Sequence, residues 1–330
     1  MDYAVLKAVD LKVSRFALGT WGFSGSRNWG PNDEGESIGT IHLALDNGIN
    51  FMDSAPKYND GAAEIILGKA VKGRRDKVVI ATKAYSDELD RKGMAKACEA
   101  SLKRLGTDYI DLYQVHWPSR TIPFPETMEA FEKLKKAGKI RAIGVCNYGV
   151  ECLEGAKGHA VATNQLPYSL VWRQVEDEII PKSRAQGVSV WPYCPLAQGL
   201  LTGKFKTIED VPPARRNVRF YSGAWKQGLH SDGGFEKEIF GFLPRLQAVA
   251  DGAGLPMAAL ALAFLKGRPE VDSVLVGARS RRQLEENLKI FAAPVPPEVL
   301  AEAVRLSDEL KPKMGKNPDL WQSENGGRFF

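Results

Sequence analysis

The stretch SIGTIHLALDNGINFMD, residues 37–53, joins a helical pattern to a strand through a glycine. Its apolar residues between Ser37 and Asn47 recur at intervals of three and four, which is the period of an amphipathic helix. Gly48 then stands where a helix commonly ends in a left-handed residue, and the run Asn50–Asp53 reads as a short buried strand. The stretch therefore predicts one helix–strand junction of an α/β protein.

The same alternation continues along the chain in both directions. Helical patterns such as Met94–Leu105, Glu126–Lys136 and Arg281–Ile290 lie between short apolar or β-branched runs. The positions where helices should end carry the glycines Gly48, Gly106, Gly138 and Gly187. Eight strands are predicted, at Phe16–Thr20, Asn50–Asp53, Val78–Thr82, Tyr109–His116, Ile140–Cys146, Val161–Gln165, Val188–Pro192 and Asp272–Val276.

Eight strands that are each followed by a helix are typical of a (β/α)8 TIM barrel. The competing arrangement is an open doubly wound sheet, which usually has the spacing G-x-G-x-x-G between its first strand and helix. Here Gly19-Thr-Trp-Gly22-Phe-Ser-Gly25 follows the first strand with a different spacing, and no other glycine cluster opens a helix after a strand. We therefore predict a single α/β barrel domain over residues 1–330.

Three segments lie outside the eight units. Residues 1–15 alternate in polarity and predict a hairpin that closes the bottom of the barrel. Residues 203–234 have no sustained periodicity, which in a compact domain indicates a functional lid or a disordered linker. Residues 311–330 form a polar tail with the late aromatic residues Trp321, Phe329 and Phe330.

Composition excludes several classes of protein. The chain is 44% hydrophobic and 26% charged, as in ordinary globular proteins. Its net charge of +5 is spread along the sequence, which disfavours a nucleic-acid partner. Four cysteines without a CxxC spacing and four histidines make a metal site improbable. The N-terminus has charges where a signal peptide needs an apolar core, and the longest apolar run, Met257–Leu265, is too short to span a membrane. We expect a cytoplasmic protein with no membrane partner.

Three consecutive predicted strands carry reactive side chains at their carboxyl ends, where TIM barrels have their active sites. Asp53 ends the second strand and Tyr58 follows it, Lys83 ends the third, and His116 ends the fourth. Taken singly, Asp53 could cap a turn, Tyr58 could be a packed aromatic residue, Lys83 a solvated charge and His116 a core histidine. Their placement on adjacent strand ends favours one catalytic set.

The four side chains suit the protonation of an oxygen while another group attacks the carbon. A free tyrosine has a pKa of about 10 and is a poor acid near neutrality. The ammonium of Lys83 is expected to lower the pKa of Tyr58, and the carboxylate of Asp53 to hold Lys83 charged and in place. The imidazole of His116 could orient a carbonyl oxygen or relay a proton.

No side chain of this set can supply a hydride, so the chemistry requires a nicotinamide cofactor. Asn147 and Gln165 end the fifth and sixth strands, and their amides could bind a carboxamide. Tyr193-Cys-Pro-Leu196 follows the seventh strand and offers a ring that could stack on a nicotinamide. Gly277-Ala-Arg279-Ser280-Arg281-Arg282-Gln283 opens a helix after the eighth strand, where arginines suit a phosphate. The alternative is that these arginines are solvent-exposed side chains at the start of a helix and bind no phosphate.

Together these segments resemble the aldo-keto reductase family over nearly the whole chain, and its bacterial and potassium-channel β-subunit-like branch most. The matching segments are Ile49-Asn-Phe-Met-Asp53-Ser-Ala-Pro-Lys-Tyr58, Ile80-Ala-Thr-Lys83, Ser101-Leu-Lys-Arg-Leu-Gly-Thr-Asp-Tyr-Ile-Asp-Leu112, Lys139-Ile-Arg-Ala-Ile-Gly-Val-Cys-Asn147, Asn164-Gln165-Leu-Pro-Tyr168, Tyr193-Cys-Pro-Leu-Ala197, Gly199-Leu-Leu-Thr-Gly-Lys204 and Gly277-Ala-Arg279. The resemblance implies a barrel that binds NADP(H) and reduces aldehydes or ketones, or runs in reverse. It makes Tyr58 the general acid, Lys83 and Asp53 its tuning residues and His116 the carbonyl-orienting residue.

The resemblance also assigns a cofactor site and a substrate site. It implies a cofactor site formed by Thr20, Trp21, Asp53, Cys146, Asn147, Gln165, Tyr193, Cys194, Pro195, Leu196, Ala197, Lys204, Gly277, Arg279, Gln283, Glu286 and Asn287. It implies a substrate site formed by Trp21, Tyr58, His116 and Trp117, and the aromatic pocket could also include Trp29, Trp172 and Trp321. We expect residues 203–234 to cover the cofactor, with Lys204 and one or more of Arg215, Arg216 and Arg219 contributing charge.

The sequence departs from the family pattern at two places. Tyr58 is usually followed by glycine, but Asn59 and Asp60 here precede Gly61. Cys146 stands where serine is common, and a thiol donates only a weak hydrogen bond.

Two other functions remain open. A regulatory subunit of the channel β-subunit type shares the fold, but the four intact catalytic positions and the absence of a long preceding N-terminal segment favour an enzyme. An isomerase or aldolase barrel is disfavoured because no phosphate-binding glycine motif follows the seventh strand.

Overall fold

A hairpin and an eight-stranded barrel account for the β-structure of residues 1–25, 28–323 and 327–330, which the computed structural model describes. The hairpin strands are β1 (Tyr3–Leu6) and β2 (Leu11–Ser14). The barrel strands are β3 (Phe16–Gly19), β4 (Phe51–Asp53), β5 (Val79–Ala84), β6 (Ile110–Val115), β7 (Ile140–Cys146), β8 (Val161–Pro167), β9 (Ser189–Tyr193) and β10 (Val274–Gly277). All eight pair in parallel in the order β10-β3-β4-β5-β6-β7-β8-β9, and a parallel bridge between Val190 and Val271 brings the two edges together. The predicted (β/α)8 barrel is confirmed.

The helices surround this barrel. They are α1 (Glu34–Asp46), α2 (Ala62–Val71), α3 (Arg91–Leu105), α4 (Phe124–Lys136), α5 (Val150–Gly155), α6 (Ile179–Ala185), α7 (Glu236–Gly252), α8 (Met257–Lys266), α9 (Arg281–Ala292) and α10 (Pro297–Leu310). Asp33 caps α1 by accepting a hydrogen bond from the backbone N–H of Glu36 at 2.7 Å. The four glycines predicted to end helices all have φ between 64° and 78°, a region that side chains with a Cβ avoid.

Alternate strand residues face two different cores, as a closed sheet requires. Leu18, Met52 and Ile80 face outwards and pack with the helices. The inward-facing side chains fill the barrel, where the rings of Phe51 and Trp191 stack with centroids 4.1 Å apart.

The N-terminal hairpin closes the barrel at the end where the strands begin. β1 and β2 pair antiparallel, and Leu6 and Val13 are buried in the same cluster as the barrel interior. Asn50, immediately before β4, accepts a hydrogen bond from the backbone N–H of Ser14 at 2.7 Å. Because this end is plugged, access to the interior of the barrel is from the carboxyl ends of the strands.

Residues 203–234 contain short 3₁₀ turns but are packed against the rest of the molecule. Val211, Val218, Phe220 and Tyr221 are at most 1% exposed. The segment is therefore an ordered loop, and the alternative of a disordered linker is wrong. An exposed turn at residues 224–226 projects from it.

The C-terminal tail returns across the carboxyl ends of the strands. The ring centroids of Phe329 and Trp117 lie 6.0 Å apart, and the carbonyl oxygen of Phe330 accepts a hydrogen bond from the Cys152 N–H. Residues 324–326 of the predicted tail lie outside the described residues.

Within the described ranges, no single helix has the length and hydropathy needed to cross a bilayer. One pair, α7 and α8, meets both criteria only when its two members are taken together, and it is bent by 92°.

Candidate active site

One cavity of about 810 Å³ opens at the carboxyl ends of the barrel strands. Residues at or just after the ends of all eight strands line it, so no single loop forms the site. Its size falls within the range of about 300–1,000 Å³ that is typical of small-molecule sites. Its lining includes Tyr58 and His116 as well as Arg279 and Asn287.

Lys83 connects the reactive side chains at the floor of the cavity. Its buried Nζ lies 2.7 Å from Oδ2 of Asp53, 2.8 Å from the carbonyl oxygen of Ser54 and 3.1 Å from the hydroxyl of Tyr58. An ammonium has three N–H donors, and these three acceptors account for all of them. The lysine is therefore held in one position and directs one N–H at the phenol oxygen.

The second carboxylate oxygen of Asp53 is held by side chains from β6 and β8, which reach it across the interior of the barrel. Its Oδ1 accepts hydrogen bonds from Nε2 of Gln114 at 3.2 Å and from Nε2 of Gln165 at 3.1 Å. The amide oxygen of Gln114 in turn accepts the thiol of Cys146, with Sγ at 3.8 Å. Asp53 thus keeps its charge directed towards Lys83.

The electrostatics of Tyr58 differ from the expectation that Lys83 would lower its pKa. Burial raises the pKa of Tyr58, and although the Lys83 ammonium opposes this, the pKa of the phenol remains above its ordinary value. Burial also disfavours the Lys83 ammonium, but Asp53 and then Tyr58 outweigh it, so the pKa of Lys83 is raised. The expectation that the pKa of Tyr58 falls below its ordinary value is wrong. The loss of water around the phenol raises this pKa by more than the Lys83 ammonium lowers it.

His116 adjoins the phenol as an uncharged imidazole. Its ring centroid lies 6.0 Å from that of Tyr58 and 5.7 Å from that of Tyr85, in both cases nearly perpendicular. Burial, and then the positive charge of Lys83, hold the pKa of His116 well below its ordinary value. At neutral pH the ring therefore carries one N–H donor and one acceptor nitrogen.

Tryptophans surround the opening above these residues. The ring of Trp21 lies 6.1 Å from that of Tyr58, 5.3 Å from that of Trp29 and 6.0 Å from that of Trp321. Trp117 also lines the cavity. Trp172 does not line it: this ring is 1% exposed, and its Nε1 donates to the carbonyl oxygen of Pro318. Its inclusion in the aromatic pocket is wrong.

The middle of the cavity has a polar wall formed by β7, β9 and the tail. Asn147 donates from Nδ2 to the carbonyl oxygen of His116 at 3.1 Å and accepts at Oδ1 from the hydroxyl of Tyr193 at 3.0 Å. The Tyr193 hydroxyl accepts from Nε1 of Trp321 at 3.2 Å. Asn147 and Cys194 both have φ near +60°, a strained region for non-glycine residues that is frequent at functional sites.

Three cations, Lys204, Arg215 and Arg279, also line the cavity. Within the described ranges, Lys204, Arg215 and Arg279 have no carboxylate partner. Desolvation and then the charge of Arg215 lower the pKa of Lys204, and burial and then the charge of Arg279 lower the pKa of Arg215. Nε of Arg279 is buried without a hydrogen bond to any described residue. Like charges that repel one another around a cavity fit an anionic ligand.

The other arginines of the two predicted basic segments are paired elsewhere. Arg281 bonds Glu36 and Arg282 bonds Glu286. In the loop, Arg216 donates to the carbonyl oxygen of Val211, and Arg219 pairs with Asp232. Only Arg215 and Arg279 of these arginines line the cavity.

The sequence of the chain identifies its family. A model of the aldo/keto reductase family matches residues 15–308. The chain belongs to this family. Among curated relatives, the aldo-keto reductase YhdN of Bacillus subtilis is 37% identical over 299 residues, which cover 86% of this chain and 87% of the relative. The NADH-specific methylglyoxal reductase of Escherichia coli is 33% identical, with 86% and 91% covered.

Two further matches concern the regulatory alternative and the cofactor. A probable voltage-gated potassium channel subunit beta of Arabidopsis thaliana is 30% identical, with 95% of this chain and 98% of the relative covered. An aldo-keto reductase from Klebsiella pneumoniae, solved in complex with NADPH, has a TM-score of 0.72 and 30% identity, with 97% and 99% covered.

Most residues that the resemblance to aldo-keto reductases assigns to the cofactor or the substrate lie at this cavity. Four assigned residues do not line it: Lys83 lies directly beneath it, and Thr20, Cys146 and Ala197 are buried in its surroundings. Glu286 and Asn287 also line the cavity. Glu286 accepts a hydrogen bond from Arg282, and Asn287 donates one to the carbonyl oxygen of Gly277.

Sequence reasoning about the family missed four side chains. Gln114 lies within β6, two strands from Asp53, and its role depends on a contact between strands that are not adjacent. Tyr85 lies two residues beyond Lys83, a spacing that could have identified it. Lys57 precedes Tyr58 directly, and Arg328 comes from the tail, far away in sequence. In this aldo-keto reductase the tail therefore contributes to the opening.

The departure beside Tyr58 has a structural counterpart. Asn59, Asp60 and Gly61 have φ of 50°, 51° and 85°, so three successive left-handed residues lead into α2. Asn and Asp are the side chains that tolerate this region best.

Proposed function

We propose that this chain catalyses the NADPH-dependent reduction of an aldehyde or ketone to an alcohol by reversible hydride transfer. The observation that supports this most directly is the position of Lys83, bonded at once to Asp53 and to the hydroxyl of Tyr58. This arrangement prepares a phenol to give up its proton, and the phenol lies at a cavity beside a neutral imidazole.

Tyr58 is the general acid in this proposal. As the carbonyl carbon accepts a hydride, the phenol proton passes to the carbonyl oxygen, and the alcohol forms. The phenoxide that remains accepts the hydrogen bond from Lys83, whose charge is balanced by Asp53. A raised pKa keeps Tyr58 protonated before the reaction, and the ammonium stabilises the charge that develops during it.

His116 orients the substrate. Its neutral ring offers one N–H beside the Tyr58 hydroxyl, and the two donors together define one position for a carbonyl oxygen. Trp21 and Trp117 line the cavity around this position.

The residues of the cavity fit NADP(H). When bound, the nicotinamide supplies the hydride. Asn147, Gln165 and Tyr193 would hold its carboxamide and ring, whereas Lys204 and Arg215 would neutralise the pyrophosphate and Arg279 the ribose phosphate. Lys204, Arg215 and Arg279, which line the cavity without a carboxylate partner among the described residues, support this assignment. Because one relative is named as NADH-specific, the preference for NADPH rests on Arg279 and not on the family.

The regulatory alternative shares the cofactor site, so binding alone does not separate the two functions. The complete set of Tyr58, Lys83, Asp53 and His116 favours the enzyme. The test is to incubate the purified protein with NADPH and a panel of aromatic and aliphatic aldehydes, ketones and polyols, and to measure both NADPH consumption and alcohol formation. Turnover in proportion to enzyme supports the proposal. Tight NADPH binding with no turnover on any substrate would favour the regulatory function.

A further inference from the structure

Two cations, Lys57 and Arg328, lie beside aromatic rings that line the cavity with Tyr58 and His116. Lys57 is exposed, and its Nζ lies 4.5 Å from the centroid of the Tyr85 ring. Arg328, from the C-terminal tail, has its Cζ 3.3 Å from the centroid of the Trp117 ring. Both residues line the cavity together with Tyr58 and His116.

The proximity of these cations to the reacting position has independent support. The centroid of the Tyr85 ring, which Lys57 covers, lies 5.7 Å from that of the His116 ring. Trp117, whose ring Arg328 covers, lines the cavity together with His116. The charges of Arg328 and Lys57 both act on His116 and contribute to its lowered pKa, after burial and Lys83. A substrate whose carbonyl oxygen lies at His116 therefore has its other end within reach of these charges.

Arg328 keeps donors free although it pairs with Asp319. The buried carboxylate of Asp319 already accepts the backbone N–H groups of Trp321, Gln322 and Arg328, at 2.8, 3.2 and 3.1 Å. The guanidinium adds bonds from Nε and Nη2 at 3.2 and 3.4 Å, and its Nη1 makes no hydrogen bond to the described residues. A guanidinium has five N–H donors, so several remain for a ligand.

No carboxylate in the described lining offsets the charge of Lys57, whereas the charge of Arg328 is balanced by Asp319 behind the opening. The acidic side chains that line the cavity are Asp53, which pairs with Lys83, and Glu286, which pairs with Arg282. Lys57 has no ion-pair partner among the residues that the structure describes. An aromatic-walled opening that holds the unpaired charge of Lys57 and the free N–H donors of Arg328 suits an anion joined to a flat or apolar body.

We propose that Lys57 and Arg328 bind an anionic group of the substrate, so that the preferred substrate is a carbonyl compound that carries a carboxylate. This inference rests on the proposed carbonyl reduction and adds its substrate class. The aldehyde or ketone lies at Tyr58 and His116, the body of the molecule packs against Trp21 and Trp117, and the carboxylate faces the two cations.

The test compares 4-carboxybenzaldehyde with its neutral analogue, methyl 4-formylbenzoate. The ratio of kcat/KM for the acid to that for the ester is measured in the wild type and in Lys57→Gln, Arg328→Gln and the double variant. Comparing ratios between proteins cancels the different intrinsic reactivities of the two aldehydes. Lys136→Gln is the matched control, because this exposed lysine ends α4 at the opposite end of the barrel.

Each single variant should lower the ratio about fivefold, which corresponds to about 1 kcal/mol for a solvent-accessible ion pair, and the double variant should lower it further. Lys57→Glu should lower it more than Lys57→Gln, and added salt should lower it in the wild type. Lys136→Gln should leave it unchanged. A ratio that is the same in all variants would overturn the inference while leaving reduction of the ester as evidence for the proposed function. Failure to reduce either aldehyde, together with the rest of the substrate panel, would instead contradict the proposed function.

Discussion

The Nζ atom of Lys83 lies 3.1 Å from the hydroxyl oxygen of Tyr58, deep enough that the lysine side chain is fully buried. This contact joins two groups whose ordinary charges differ, and burial raises the cost of ionising the phenol. The lysine cannot move to solvent, because Asp53 and the carbonyl oxygen of Ser54 hold its other two protons. Any charge that develops on the phenol oxygen is therefore met by a fixed ammonium.

Removing the phenol hydroxyl should remove most of the activity. If Tyr58 protonates the carbonyl oxygen, Tyr58→Phe should lower kcat for reduction by about 10²–10⁴-fold or more, the range that general acid catalysis contributes. NADPH affinity, measured by tryptophan-fluorescence quenching, should change little because the ring remains. Tyr3→Phe on the exposed hairpin is the control and should keep full activity. A Tyr58→Phe enzyme with more than half of the wild-type kcat would assign the acid to another group.

The pH dependence of reduction should reflect the raised pKa of Tyr58 and the lowered pKa of His116. The acid is active in its protonated form, so its activity is lost only as pH rises through its pKa, which lies above the ordinary value. His116 is already neutral at pH values above its lowered pKa. We therefore expect kcat for reduction to be nearly constant between about pH 6 and 9, outside the range in which either shifted group titrates.

Lys83→Met should be as damaging to kcat as Tyr58→Phe and should alter the pH profile. Without the ammonium, nothing opposes the effect of burial, so the pKa of Tyr58 moves further up and any alkaline decline in reduction moves up with it or disappears. Lys136→Met is the control with the same loss of charge at a distant site. An alkaline decline that moved to lower pH would show that Lys83 does not act on the phenol.

The catalytic end of the site could be predicted from the sequence because strand ends converge by geometry. In a parallel barrel the carboxyl ends of the strands lie at the same face. Once Asp53, Lys83 and His116 are each placed at a strand end, their proximity follows, so the local sequence pattern was sufficient to predict it. The sign of the net shift at Tyr58 could not be predicted in the same way. It depends on how much water the folded chain removes from the phenol, which local sequence does not specify.

The charged side chains were harder to assign, because their roles depend on partners that are distant in sequence. Among the arginines after β10, Arg281 is neutralised by Glu36, about 245 residues away, and only the fold reveals that Arg279 remains free of a carboxylate. Arg328 reaches the opening because the tail crosses the barrel, a path that no periodic pattern indicates.

Cofactor should protect the loop of residues 203–234 from proteolysis. The loop is packed, but Lys226 lies on its exposed turn and is the expected trypsin site, whereas Lys204 and Arg215 face the cavity. If the loop covers the pyrophosphate, NADPH should slow cleavage after Lys226, because binding stabilises the closed loop against local opening. The products are followed by mass spectrometry, and Lys226→Gln should abolish this cut. Equal cleavage rates with and without NADPH would show that the loop does not cover the cofactor.

Arg279 should be the main source of a preference for NADPH over NADH. The two cofactors differ by one phosphate on the adenosine ribose, and Arg279 lines the cavity with its Nε unpaired among the described residues. Its Nη2 donates to the carbonyl oxygen of Pro31, and its backbone N–H to Oε1 of Gln283, so the side chain is held at the start of α9. Ser280 caps α9 by accepting a hydrogen bond from the Gln283 N–H.

Arg279→Ala should weaken NADPH binding by about 1.5–3 kcal/mol, or about one to two decades in Kd, since charged hydrogen bonds to the phosphate are lost. NADH binding should be nearly unchanged. Arg282→Ala is the matched control, because this arginine lies on the same helix, is largely exposed and pairs with Glu286. Both cofactors are titrated against the three proteins by tryptophan-fluorescence quenching. An equal loss for NADPH and NADH would mean that Arg279 stacks on the adenine, and equal affinities of the wild type for both would show that the preference does not exist.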